Sequence, residues 1–195
     1  MIVAYGTIGL FQTFAAYFSF FYCYYDQGFT IGSLIGAGLN YRNDYASLDS
    51  ERKSFFDNLC EQNTVYRRDL YGCGQEFVDY RVHTLAMAQA AYLLTVVWAQ
   101  IANVLIRKTQ VASILEWKRF TQNTFMLYSI LAEIVIIVII VFVPGLNTVF
   151  LLAAPTPKWA ACAVWIIPLL IGWDEARKWI CRRYPDGFIS KYSNF

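Results

Sequence analysis

The sequence predicts an all-α membrane protein with four transmembrane helices, both termini cytoplasmic, and a long outer loop between the first two spans. Three observations predict it. The 195 residues are 57% hydrophobic and only 15% charged, against roughly 25% charged in soluble domains. The apolar residues gather into runs near bilayer length. Aromatics reach 18% and crowd at the ends of those runs, where Trp and Tyr meet the membrane–water interface.

The first run covers about residues 2–25. It lacks the basic start, short apolar core and small-residue cleavage site of a secretory signal, so a retained span is expected. The run starts at once after Met1, which suggests a piece of something longer. Residues 26–82 follow as the outer loop. Its first part is Gly-rich, GFTIGSLIGAGLN, and suits the membrane interface. Within the polar remainder, DSERKSFFDNL has the pattern of a short amphipathic helix capped by Asp49 or Ser50.

The second span is expected over about 84–106 and carries Gln89, Gln100 and Asn103. Gln100 and Asn103 lie three apart and so share a helix face. Ala99 and Ala102 nearby permit close helix approach. As interhelical glue or as ligands for an ion, the two amides are equally well explained. A basic connector, RKTQVASILEWKRFTQNT, leads to the third span at about 125–143, which Pro144-Gly145 ends. The connector 146–158 precedes a fourth span at about 159–173, short for a crossing of around 20 residues.

Basic residues set the orientation. Arg107, Lys108, Lys118 and Arg119 cluster in one connector, and Arg177, Lys178, Arg182 and Arg183 follow the last span. An even number of spans separates the clusters, which puts both on the cytoplasmic side. The 26–82 loop then lies outside, in keeping with its nine acids against six bases. Cys60 and Cys73 fall in that loop and can pair if it is extracytoplasmic. Cys23, Cys162 and Cys181 read as packing residues.

Most soluble chemistries are excluded. There is no phosphate-binding loop, Ser/His/Asp arrangement, zinc-protease motif or dinucleotide fingerprint. The single His and the cysteine spacing offer no metal site. A net charge of +2 without a basic, aromatic-laced patch argues against nucleic acid.

One residue invites chemistry. Glu133 is the only acidic or basic residue in the third run. A charge near the bilayer centre costs roughly 2.5 kcal/mol or more, so a lone acid there marks a functional site by default. Glu133 lies about two turns into its span, and Gln100 and Asn103 lie one to two turns from the matching end of theirs. Antiparallel packing would bring a carboxylate and two amide oxygens to one level. Hard cations take such oxygen ligands, and a proton site at Glu133 fits equally well. Three ligands are too few to close a site, so other helices or chains would complete it.

The order of motifs resembles the last four membrane helices, seventh to tenth, of the catalytic α-subunit of Na⁺/K⁺- and H⁺/K⁺-transporting P-type ATPases. The segments that carry the resemblance are AYGTIGLFQTFAAYFSFFYCYYDQGF (4–29), YGCGQEF (71–77), LIRKT (105–109), AE with its apolar run to VPG (132–145), and WDEARKWICRRYPDGFISKYSNF (173–195). The resemblance covers nearly all of residues 1–195, and DEARK with RRYPDGF is its most specific part.

It implies a plasma-membrane, multi-pass pump segment without ATPase activity of its own. The phosphorylation motif DKTGT and the domains that handle ATP and Mg²⁺ are not in this sequence, which carries no cofactor itself. Transported Na⁺, K⁺ or H⁺ would be shared with the remainder of an α-subunit. Glu133 matches an acid of the third Na⁺ site region, and Gln100 matches the eighth-helix pattern. Asn103 stands where the family has an Asp. Tyr71, Gly72, Gln75 and Phe77 match the segment that contacts the β-subunit, and Phe195 takes the place of a regulatory C-terminal aromatic. The outer loop is about twenty residues longer than the family suggests, and Cys60 and Cys73 fall in the altered part. Two alternatives stand beside a pump module: a freestanding four-span protein that binds β-subunits or intact pumps, and a tetraspanin-type scaffold, which the missing Cys-Cys-Gly signature disfavours.

Overall fold

A computed structural model describes residues 2–34, 45–107 and 124–184. Among these every regular element is a helix. Helix α1 (Ile2–Asp26) leads to a 3₁₀ turn at Ile31–Leu34. A second turn at Tyr45–Ser47 precedes α2 (Ser50–Gln62), and α3 (Arg68–Tyr71) is a single turn. Helix α4 (Gln75–Arg107) has 33 residues, about 50 Å of helix. Then come α5 (Thr124–Phe142), the one-turn α6 (Leu146–Val149), α7 (Pro157–Cys162), a 3₁₀ turn at Ala163–Trp165, and α8 (Ile166–Arg183).

The expected short amphipathic helix is α2, with Asp49 as its N-cap. The second span is longer than its apolar pattern suggested. It starts at Gln75 because Phe77 and Val78, both buried, give the polar lead-in a packed face. The third span falls where it was expected, and the chain turns at Gly145 (φ 95°). The fourth helical stretch does not stop at 173. It runs from Pro157 to Arg183 through the charged DEARK segment. Pro157 occupies the first turn, where its missing N–H is harmless. Pro168 cannot donate to the carbonyl of Val164, and the helix tightens there into the 3₁₀ turn.

The four-span expectation is corrected. Among the described residues, three helices are long and apolar enough to cross a membrane: Gln75–Arg107, Thr124–Phe142 and Pro157–Arg183. Helix α1 is long but is not among them. Gln12, Thr13, Ser19 and its many tyrosines dilute its apolar character. With three such helices, the two ends of the chain are no longer required to share a side, and the placement of both termini in the cytoplasm falls with the fourth span. The chain is a multi-span α-helical membrane protein.

Helix α1 packs along α4, with small residues at the contact: Ala15 and Ala16 on α1, Ala88, Ala91, Ala99 and Ala102 on α4, all buried. Without larger side chains between them the backbones approach closely, and Gln12 Nε2 donates to the Ala99 carbonyl at 3.3 Å. Helix α8 joins the same contact, its Ile166 and Leu170 clustering with Ala15, Ala99 and Ala102. Helix α5 stands apart: only 11% of its apolar stretch is buried, against 50% for α4. Its contact is a narrow seam of Ile137 and Val141 against Ala90, Leu94 and Ala163.

The long loop is tied down at several points. Cys60 and Cys73 form a disulfide across 13 residues of sequence. Cys60, Phe29, Phe77 and Tyr24 form one buried cluster with Trp159. Asn63 Nδ2 donates to the Gln27 carbonyl, and its Oδ1 accepts from the backbone of Val65 and Tyr66. Lys158 Nζ donates to Asp26 at 2.7 Å, pinning the end of α1 to α7.

Candidate functional site

Glu133 projects from the middle of α5 into a cleft of about 650 Å³ between α5 and α4. The α4 wall is Leu93 and Val97. The α5 wall is Ser129, Ala132, Ile136, Ile137 and Ile140, and Phe150 closes one end. The carboxyl group is half-buried and has no hydrogen-bond or ion-pair partner among the described residues. Ser129, one turn away, spends its hydroxyl on the Phe125 carbonyl at 3.0 Å. A polar group left unpaired in an apolar cleft is costly unless something arrives to satisfy it.

Gln100 and Asn103 do not line this cleft. Gln100 is exposed on α4, about one turn beyond Val97. Asn103 is half-buried, and its Oδ1 accepts from Arg107 Nε at 3.3 Å. Glu133 therefore sits about a turn from the amide pair along α4, with a side-chain partner for only one of the three. Spacing alone did not reveal that Arg107, four residues on, competes for Asn103.

The segment at 71–77 leads into α4. Tyr71, Gly72 and Gln75 are exposed. Phe77 is 1% exposed and packs against Phe29 and Tyr66. Gln75 Oε1 accepts from the backbone N–H of Tyr45 at 2.7 Å, and its Nε2 donates to Asp79. Phe195 lies outside the described residues.

Sequence reading missed a second charged centre, on α8. Asp174, 3% exposed, takes Lys178 Nζ at 2.6 Å and Arg177 Nη2 at 2.8 Å. The spacings of three and four residues were visible in DEARK, but the burial was not, because the segment reads as a polar tail. Among the described residues no group of three His, Cys, Asp or Glu side chains is placed to hold a metal ion.

Comparison with known proteins places this helical assembly. Residues 1–180 match the family described as the C-terminus of cation-transporting ATPases. The chain belongs to that family. Among its relatives, a sodium/potassium-transporting ATPase subunit alpha-1 of Anguilla anguilla is 27% identical over 189 residues, covering 97% of this chain and 16% of that protein. The alpha-3 subunit of Homo sapiens is 28% identical, covering 97% and 17%. An alpha-1 subunit of Oreochromis mossambicus is 29% identical over the same shares as the eel protein. The chain thus spans about a sixth of the length of these curated relatives. The matched family describes the C-terminal membrane part of a pump, and the match does not extend to phosphorylation or nucleotide-binding domains.

Proposed function

We propose that this chain serves as the membrane module of a Na⁺/K⁺- or H⁺/K⁺-type pump at the plasma membrane. In this reading Glu133 is part of a cation or proton site, and Gln100 and Asn103, about a turn away on α4, would add amide oxygens only after a shift of α5 along α4. The observation that carries the reading is the unpartnered Glu133 carboxyl in an apolar interhelical cleft. Asn103 in place of an acid lowers the negative charge beside the site, which favours a singly charged ion or a proton over a divalent cation. The chain alone does not hydrolyse ATP, and the energy for transport comes from domains that the rest of an α-subunit would supply.

The same reading makes Tyr71, Gly72 and Gln75 the surface that meets a β-subunit. Phe77 supports that surface from beneath, since its side chain is covered. Phe195 would act on cation affinity from the C-terminal end. Membrane lipid is the remaining partner.

A pump α-subunit carrying this chain as its C-terminal segment tests the site. Glu133→Gln keeps shape but removes the charge and should weaken apparent cation affinity by about tenfold or more, the worth of one charge-assisted contact. The pH dependence of the cation-activated step should shift with it. Unchanged Na⁺ and pH dependence would reduce Glu133 to a structural acid. Co-purification of a β-subunit, lost on replacing Tyr71 and Gln75 with Ala, tests the contact.

A further inference from the structure

Three tyrosines converge where the disulfide-bonded loop meets α4. The Tyr66 ring lies 5.0 Å from Tyr80 and 6.3 Å from Tyr71, centroid to centroid. With Glu76, Asp79 and His83 of α4 they line a cavity of about 310 Å³. The residues on α4 recur at 76, 79, 80 and 83, one stripe of a helix, so the cavity runs along a rigid wall rather than a loose loop.

Two of the three rings are anchored before any ligand arrives. Tyr66 donates its hydroxyl to the Gly72 carbonyl at 3.2 Å, and Tyr80 donates to Gln27 Oε1 at 2.9 Å. These bonds anchor the tip of each ring, and packing of Tyr66 on Phe77 and of Tyr80 on Phe29 restricts its rotation. The Cys60–Cys73 bridge closes the chain on both sides of Tyr66 and Tyr71. Two carboxylates border these faces. Asp79 accepts one bond from Gln75 Nε2 at 2.9 Å. Glu76 has no hydrogen-bond or ion-pair partner among the described residues. Arg67 and Arg68, the nearest cations in sequence, are exposed and pair with neither acid. The Tyr66 hydroxyl is held above its ordinary pKa, first by burial and then by the charge of Glu76, so the field of the carboxylate reaches the ring.

Aromatic faces attract cations through their quadrupole, and quaternary ammonium groups are the ligands that aromatic cages recognise. Nearby carboxylates add long-range attraction without requiring a hydrogen-bond donor on the ligand. A metal ion would find too few oxygens here, and an anion would meet two negative charges. We propose that the Tyr66–Tyr71–Tyr80 cavity, with Glu76 and Asp79, is a binding site for an organic ammonium group of the choline type, free in solution or on a lipid headgroup. The site does not depend on the cation-site reading of Glu133, which lies in a different cleft.

Saturation-transfer NMR on the full chain in phosphatidylglycerol nanodiscs tests this, with free choline as probe and 3,3-dimethyl-1-butanol as its neutral isostere. Saturable transfer to the choline N-methyl protons is expected, with the isostere about fivefold weaker or worse. Tyr71→Leu and Glu76→Gln, both at exposed positions, should each weaken choline by a similar factor while the disulfide stays formed. Glu133→Gln should leave choline binding unchanged. Phosphatidylcholine introduced into the discs separates the sources: competition with free choline assigns the headgroup, and no competition assigns the solute. Absence of saturable transfer, equal binding of the isostere, or indifference to both cavity variants would overturn the proposal.

Discussion

Asp174 and Lys178 show how a short interval of sequence can carry a large energy. Their pair is 2.6 Å long and almost wholly covered. Removing one partner strands a buried charge, which costs roughly 3–5 kcal/mol. Asp174→Asn should therefore lower thermal stability in detergent sharply, because it leaves both Arg177 and Lys178 without their carboxylate. The paired replacement of Asp174 by Leu and Lys178 by Met should recover the part of that loss owed to Lys178, as an apolar pair of similar bulk often does, while the contact of Arg177 with Asp174 stays lost. Gly28 makes a different demand. Its φ is +83°, and a Cβ there would collide with the Asn63 side chain. Gly28→Ala should cost about 1–3 kcal/mol and free the 63–66 turn, seen as faster proteolysis of the loop. Tyr45 offers a pH signature. Its hydroxyl donates to Asp57 at 2.8 Å, and that bond holds its pKa above the ordinary value. A raised pKa gives stability that is fully present below about pH 10 and is lost as pH climbs through the raised value. The stability difference between the native chain and Tyr45→Phe should accordingly vanish in alkaline unfolding titrations.

At the scale of elements, legibility followed the strength of each pattern. Helix α5 was plain because sixteen of its nineteen residues are apolar, which leaves no competing period, and Pro144-Gly145 stops it. The start of α4 was hidden because residues 75–83 alternate acids, a His and an Arg with only two covered apolar side chains. The candidate site was half legible. The lone acid in an apolar run identified Glu133, but the register of α5 on α4 depends on side-chain packing that no single run encodes, so Gln100 and Asn103 came out at a different level from the acid. Helix α2 owes its place to the loop around it. Its mean composition is polar, and only Phe56 and Cys60 are buried. Reducing the Cys60–Cys73 bridge, or making Cys73→Ser, should release it: closing a loop of this size is worth about 3 kcal/mol. Limited proteolysis within 50–66, with and without reductant, reads the change.

Across the whole molecule, the described helices form a tight group of α1, α4 and α8 with α5 attached by one seam. The family could be read from ordered motifs. The number of spans could not, because a tyrosine-rich helix such as α1 has the length of a span without its uniform apolarity. The same asymmetry governs assembly. Lipid tails offer α5 nearly all the contacts it needs, so it can insert as an autonomous unit and dock late. Helix α4 carries amides, small residues and an Arg end, and reaches its final burial only with α1 and α8 packed on it. Biogenesis should thus proceed in two stages, with the sidewall helix α5 the first to settle in the bilayer and the last to join the protein.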